Sequence, residues 1–352
     1  MFGTGSHAPS YSAGIFFVAL SLFVPSVSFS ESGYVRPEKL IMMWDYISEK
    51  GDNAGVDKRV VQTGLDVILP TWFAIRNGNG DVSSLADRNY IKWAHGSGIK
   101  VWALFENRSD DTLSFRALSN GNSREKIIRQ IAGFVREYGL DGINIDFEAM
   151  RPETGKFFEQ FITELYAVLK PLGIPLSVDI SIPFTDVRKV FDVGLVAGNS
   201  DYIVAMAYDE HHRDSKVIGP VAAIGWVKQG IEDALRYVSP GKLILGIPFY
   251  TRVWFENRES GELRITSELK GIREAYDMFK DKSSIWQRDD ETKQIYAEFD
   301  RGLVCYKVWL EDNQSLSLKL DAINDYDLAG MSAWRSGWEW PGVWNMINAY
   351  FM

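Results

Sequence analysis

The stretch Asp141-Gly142-Ile143-Asn144-Ile145-Asp146-Phe147-Glu148 places polar groups at every second position of an apolar run. In an extended strand successive side chains point to opposite faces, so Asn144, Asp146 and Glu148 share one side and Ile143, Ile145 and Phe147 the other. Burying carboxylates costs on the order of several kcal/mol unless they are partnered. A strand that needed only stability would not line up three such groups. They form either a satisfied polar network or an acid–base site, and perturbed carboxylates gather at functional sites. An ordinary retaining glycosidase sets its acid and its nucleophile on opposite sides of the scissile bond. Two carboxylates on one face of one strand cannot readily do that. If the target is a glycosidic bond, the arrangement favours a nucleophile supplied by the substrate, the oxygen of a 2-acetamido group. Glu148 would protonate the leaving oxygen, and Asp146 would hold the acetamide N–H and stabilise the oxazolinium that forms. An ionised Asp146 would also raise the pKa of Glu148 and keep it protonated.

Such a strand needs a scaffold that opens its C-terminal end to solvent. Eight short segments rich in Ile, Val, Leu and aromatics read as strands buried on both faces: 40–44, 66–69, 100–104, 142–147, 176–181, 202–208, 243–248 and 330–334. Helix-period segments, such as 123–137 and 154–170, lie between them, and Gly139, Gly173 and Gly241 follow apparent helix ends. Eight strands joined by right-handed crossovers predict an α/β fold, a (β/α)8 TIM barrel. The apolar side of 142–147 would then face the helices, and the polar side would rise through the lumen to the mouth. One stretch breaks the rhythm. Residues from about 250 to 309 predict a small α+β insertion after the seventh strand, with a helix over 268–280 and a hairpin of 284–288 and 295–299 around Asp289-Asp290-Glu291. An insertion there would deepen the mouth into a cleft.

The polar strand resembles the Asp-x-x-Asp-x-Asp-x-Glu signature of glycoside hydrolase family 18, the chitinase family. Asp141, Asn144, Asp146 and Glu148 occupy its positions, with Glu148 at the acid. Asn144 replaces the usual carboxylate. That form resembles the branch of bacterial spore-cortex and cell-wall N-acetylglucosaminidases, and it weakens a relay in which Asp146 shares charge with a deeper carboxylate. Ala205-Met206-Ala207-Tyr208-Asp209-Glu210-His211 resembles the family's Met-x-Tyr-Asp block on the sixth strand. By that likeness Tyr208 would touch the acetamide and Asp209 the sugar, with Met206 beside them. Taken alone, Tyr208 would be a core aromatic and Asp209 a helix cap. Trp334 resembles the tryptophan that floors the −1 sugar subsite. Gly246-Ile247-Pro248-Phe249-Tyr250-Thr251-Arg252, Pro70-Thr71-Trp72-Phe73 and Trp44-Asp45 resemble strand-end blocks of the spore-wall branch, which implies substrate contacts for Tyr250, Arg252 and Trp44. The likeness runs from about residue 39 to 350. The family's Ser-x-Gly-Gly is replaced by Leu104-Phe105-Glu106-Asn107, where Glu106 or Asn107 either contacts substrate or lies in a solvated loop.

The whole chain is consistent with that reading. It has 352 residues, 46% hydrophobic and 24% charged, so one large domain with a sizeable core is expected. A net charge of −9 argues against nucleic acid as the main partner. The apolar run 14–27, followed by Ser28-Phe29-Ser30, predicts that residues 1–30 are a signal peptide or an uncleaved anchor, and hence export. Cys305 is the only cysteine, so no intrachain disulfide forms, and its apolar neighbours predict a buried thiol. With four histidines and no cysteine pair, no metal site and no cofactor are expected. Adjacent His211 and His212 rarely chelate one ion, so His211 is read as a contact to the sugar or to a group that touches it. The expectation is a monomeric retaining hydrolase of β-1,4 bonds in an N-acetylglucosamine polymer, peptidoglycan first and chitin second. The alternative is a carbohydrate-binding barrel without catalysis.

Overall fold

The computed structural model describes residues 39–56, 62–258, 261–282 and 284–352. The apolar run 14–27 lies outside the described residues. Among the described residues, strands β1 (Leu40–Asp45), β2 (Val67–Ile75), β3 (Val82–Ser84), β4 (Lys100–Glu106), β5 (Gly142–Asp146), β6 (Leu176–Ser181), β7 (Tyr202–Met206) and β8 (Leu243–Pro248) come first. They are followed by β9 (Tyr250–Asn257), β10 (Arg264–Gly271), β11 (Ile285–Arg288), β12 (Ile295–Arg301), β13 (Val304–Leu310) and β14 (Gly330–Trp334). Parallel pairing runs β1-β14-β8-β7-β6-β5-β4-β2, and β2 pairs back onto β1. This closes an eight-stranded (β/α)8 barrel, with β3 as an antiparallel appendage on β2.

The two faces of β5 divide as their residue types require. Ile143, Ile145 and Phe147 join the large apolar layer between sheet and helices. The lumen is filled separately by Met42, Trp44, Val67, Leu69, Trp102, Leu104, Val204 and Ile244. Trp102 fits at the base of the lumen because Gly142 opposite has no side chain. A Cβ on Gly142 would stand 2.5 Å from the indole. The helix over Gly121–Tyr138 ends on Gly139 at φ 68°, a conformation that costs a residue without Cβ little.

Between β8 and β14 the chain builds a five-stranded antiparallel sheet, ordered β10-β9-β13-β12-β11. The helix expected over 268–280 begins only at Ile272 and ends at Phe279. The preceding residues are strand instead, because β10 pairs along its full length with β9 from Arg264↔Asn257 to Gly271↔Tyr250. Cross-strand pairing overrides the local helix preference there. Cys305 lies on β13, half-buried rather than enclosed, and burial pushes its thiol up to about 11. It is therefore a thiol, not a thiolate, at neutral pH.

Candidate active site

The C-terminal ends of β4, β5, β6 and β7 bring acidic groups to one end of the lumen. Asn144 is fully buried at the lowest level. Its Oδ1 accepts from the Trp44 indole N–H at 3.2 Å, and its Nδ2 donates to Ser177 Oγ at 2.9 Å and Asp179 Oδ1 at 2.6 Å. The relay expected to be weakened by Asn144 therefore keeps a deep carboxylate, but it comes from β6. Asp146 lies above, opposite Glu106 in the pairing of β5 with β4. Asp146 Oδ1 and Asp179 Oδ2 are both enclosed and accept no hydrogen bond from the described residues. Enclosure of this kind disfavours the charged form. Burial, then the charges of Glu148, Asp179 and Glu106, push Asp146 well above the usual carboxylate range. Burial likewise raises Asp179 to about 8, against the hydrogen bond from Asn144. These shifts run against the expectation of an ionised Asp146: burial and the neighbouring charges favour the protonated form of both inner carboxyls. Glu106 is raised in the same direction, by burial first and by Glu148 in addition, with Arg108 opposing.

Glu148 stands just beyond the end of β5 and is exposed. Its backbone is clamped by Asn107, which is fully buried: Asn107 Nδ2 donates to Glu148 O at 2.8 Å, and Glu148 N donates to Asn107 Oδ1 at 3.0 Å. Ser109 Oγ donates to Glu148 Oε2 at 3.0 Å. A few residues on, Asp111 accepts from Arg151 N at 2.8 Å and Thr154 Oγ1 at 2.7 Å, which pins the loop that carries Glu148. Four non-glycine residues with positive φ crowd these strand ends: Arg108 (58°), Ser109 (52°), Ala149 (53°) and Asp209 (63°). Strain of this kind persists where the surroundings over-determine the backbone, and it clusters at functional sites.

On the other side of the lumen Tyr208, Trp44, Trp334 and Tyr250 form one aromatic assembly. Trp44 lies 6.3 Å from Tyr208 and 5.8 Å from Trp334, and Tyr208 lies 5.9 Å from Tyr250. Trp44 is enclosed under Trp334, so it is a partner of Asn144 and not a sugar contact as expected. Trp334 keeps a partly exposed face. Burial holds the hydroxyls of Tyr208 and Tyr250 well above their ordinary pKa, so both remain donors. Tyr250 is enclosed and donates to Asp209 Oδ1 at 2.7 Å, orienting it. Met206 lines a cavity of about 140 Å³ together with Glu148, Asp179, Ile180 and Phe191.

Three other expected site residues are engaged by neighbours within the protein. Asp141 sits at the opposite, N-terminal end of β5, where Oδ2 meets His95 Nε2 at 2.8 Å and Val101 N at 2.8 Å. It caps the base of the barrel and is not a substrate contact. Arg252 is buried on β9 and donates to Ser267 Oγ at 3.2 Å. His211 is half-buried, with Nδ1 at 2.9 Å from Pro220 O and its ring filling the space left by Gly219. Asp179 escaped the sequence reading, while Asn107, expected as a substrate contact or a solvated-loop residue, is instead buried and clamps the Glu148 backbone. Asp179 does share the lumen-side alternation of its strand with Ser177, and that was the available signal. Among the described residues no group of three or more His, Cys, Asp or Glu converges as metal ligands do.

Comparison with known proteins agrees with this geometry. The model of glycosyl hydrolases family 18 matches residues 39–337. The uncharacterized glycosylase YvbX of Bacillus subtilis is 25% identical over 314 residues, 85% of this chain and 88% of that protein. The cortical fragment-lytic enzyme of Bacillus subtilis is 25% identical over 254 residues, 68% of this chain but only 57% of the relative. In fold, the spore cortex-lytic enzyme SleL of Bacillus cereus superposes with a TM-score of 0.80 at 19% identity, covering 90% of this chain and 75% of that one.

Proposed function

The chain belongs to glycosyl hydrolases family 18, and from that premise we propose that it cleaves the β-1,4 bond beside an N-acetylglucosamine unit with retention, using the substrate's own acetamide as nucleophile. The observation that carries this reading is exposed Glu148, just beyond the end of β5, two residues on from half-buried Asp146, whose Oδ1 is enclosed. Glu148 is positioned as the acid for the leaving oxygen, with its backbone fixed by Asn107 and its carboxylate by Ser109. Burial and the neighbouring charges favour the neutral form of Asp146 before substrate enters. When the acetamide enters and a cationic oxazolinium develops, the opposite charge within a few ångströms favours ionised Asp146, its proton passing to the Glu148 carboxylate that remains once that acid has protonated the leaving oxygen. The Tyr208 hydroxyl remains protonated and is available as a donor to the acetamide oxygen. Trp334 offers a flat apolar face for the sugar ring.

Peptidoglycan is the proposed polymer, with chitin second. The cortical fragment-lytic relative supports the cell-wall choice. Export through the apolar run 14–27 is part of the same proposal. The test is digestion of purified peptidoglycan and of chitin, with product ends identified by mass. Reducing-end N-acetylglucosamine is the expected product, and muramic acid reducing ends would reject the bond choice. Glu148→Gln is expected to lower turnover by at least about a hundredfold, the scale of general acid catalysis, while binding persists. Unchanged turnover in that variant would remove Glu148 from the mechanism.

A further inference from the structure

Next to the floor tryptophan stands a cation that the reaction does not use. Arg335 follows Trp334 at the end of β14, and its guanidinium carbon lies 4.9 Å from the centroid of the Tyr46 ring and 4.0 Å from that of Trp338. The backbone around it is fixed. Phe249 N donates to Trp334 O at 2.6 Å, Ser336 N to Trp44 O at 2.9 Å, and Trp338 N to Arg335 O at 3.2 Å. The side chain is half-buried, and enclosure lowers its pKa with only the charges of Tyr46 and Asp45 opposing. Among the described residues the guanidinium makes no ion pair and donates no hydrogen bond. Its stacking on two rings is met, and its in-plane N–H groups remain unmet. Tyr46, the ring under it, also lines a mouth cavity of about 320 Å³ that reaches Glu106 and Arg108.

A stacked guanidinium of this kind is pre-organised for a planar two-oxygen acceptor, which it can bind bidentately. The setting sharpens the point. The chain carries a net charge of −9, and the mouth holds Glu148, Asp209 and Glu106, with Arg108 beside Glu106. A neutral sugar needs no cation to enter such a mouth, whereas an acidic sugar would be repelled unless one were provided. We infer that Arg335 receives a carboxylate carried by the polymer, so that the site favours a glycan with an acidic ether substituent, such as the lactyl group of a muramyl unit, over an uncharged chain. This rests on the polymer reading given under Proposed function.

The experiment compares two forms of one substrate: peptide-free glycan strands with free muramyl carboxylates, and the same strands with those carboxylates reduced to alcohols. The native enzyme is expected to favour the carboxylate form by roughly tenfold in KM, the scale of one charge-assisted hydrogen bond. Arg335→Met, which keeps the apolar stem, is expected to bring that ratio to about one, and Arg335→Lys to retain part of it. A native ratio of one, with both forms cut, overturns the inference and leaves the polymer reading standing. Retention of the native ratio in Arg335→Met, even with both rates lowered, makes the residue structural and also overturns it. If neither form is cut while chitooligosaccharides are, the polymer reading fails and the inference falls with it.

Discussion

Asp179 occupies a position that local sequence does not advertise. It is held by Asn144 from the neighbouring strand, 35 residues away in the chain, and its other oxygen has no hydrogen-bond donor among the described residues. Asp146, Glu148, Glu106 and Tyr208 are the titratable groups with which it shares the lumen end. A carboxyl whose folded pKa is raised binds more protons in the folded than in the unfolded state, so its contribution to stability falls as pH rises between the two values. For Asp179 that window runs from 3.8 to about 8. Asp179→Asn retains the neutral shape and removes the titration. The unfolding free energy of the variant, measured by urea titration across this window, should therefore decline less steeply with pH than that of the native protein. Equal slopes would mean that Asp179 is not buried as a neutral acid. The signature residues Asp146 and Glu148 were legible from alternation alone, because a strand reports which side chains share a face. Asp179 was not, because its meaning depends on which strand lies beside β5.

At the scale of elements, β5 can present its polar face only because the lumen beneath is filled. Trp102 from β4 occupies the base directly over Gly142. Gly142→Ala places a methyl 2.5 Å from that indole, inside any tolerable contact. Overpacking of a filled core typically costs about 1–3 kcal/mol, and chemical denaturation of Gly142→Ala should show a loss of that order. Pairing it with Trp102→Leu should recover part of the loss if the clash is its cause, and no recovery would assign the cost elsewhere. The barrel strands themselves were readable as apolar runs of the right length. The start of the helix at Ile272 was not, since Glu268-Leu269-Lys270 favours a helix locally and becomes strand only by pairing with Val253, Arg252 and Thr251 of β9.

Across the whole molecule, the antiparallel sheet and the barrel are joined through a buried ion pair. Lys319, on the helix over Asn313–Asp325, lies 2.5 Å from Glu311 at the end of β13, and each side chain is 1% exposed. Glu311 also accepts from Gln294 at the foot of β12 and from Ser315 Oγ at 2.9 Å. Removing one partner of such a pair leaves an uncompensated charge in a dry site, at a cost of about 3–5 kcal/mol. Lys319→Met should lower the thermal midpoint markedly, whereas Lys319→Met with Glu311→Gln should recover much of it. If the single variant melts with the native protein, the pair does not hold the sheet to the barrel.

Residue order alone determined the barrel strands and which side chains of 142–148 share a face, because backbone periodicity converts spacing into facing without reference to any other segment. Tertiary structure decided which carboxylate sits beneath Asp146, that Trp44 and Asp141 serve the scaffold, and that Arg335 stands stacked on two rings. Those are properties of burial and of neighbours on other strands. Burial sets protonation and pairing, and it exists only once the chain has closed on itself.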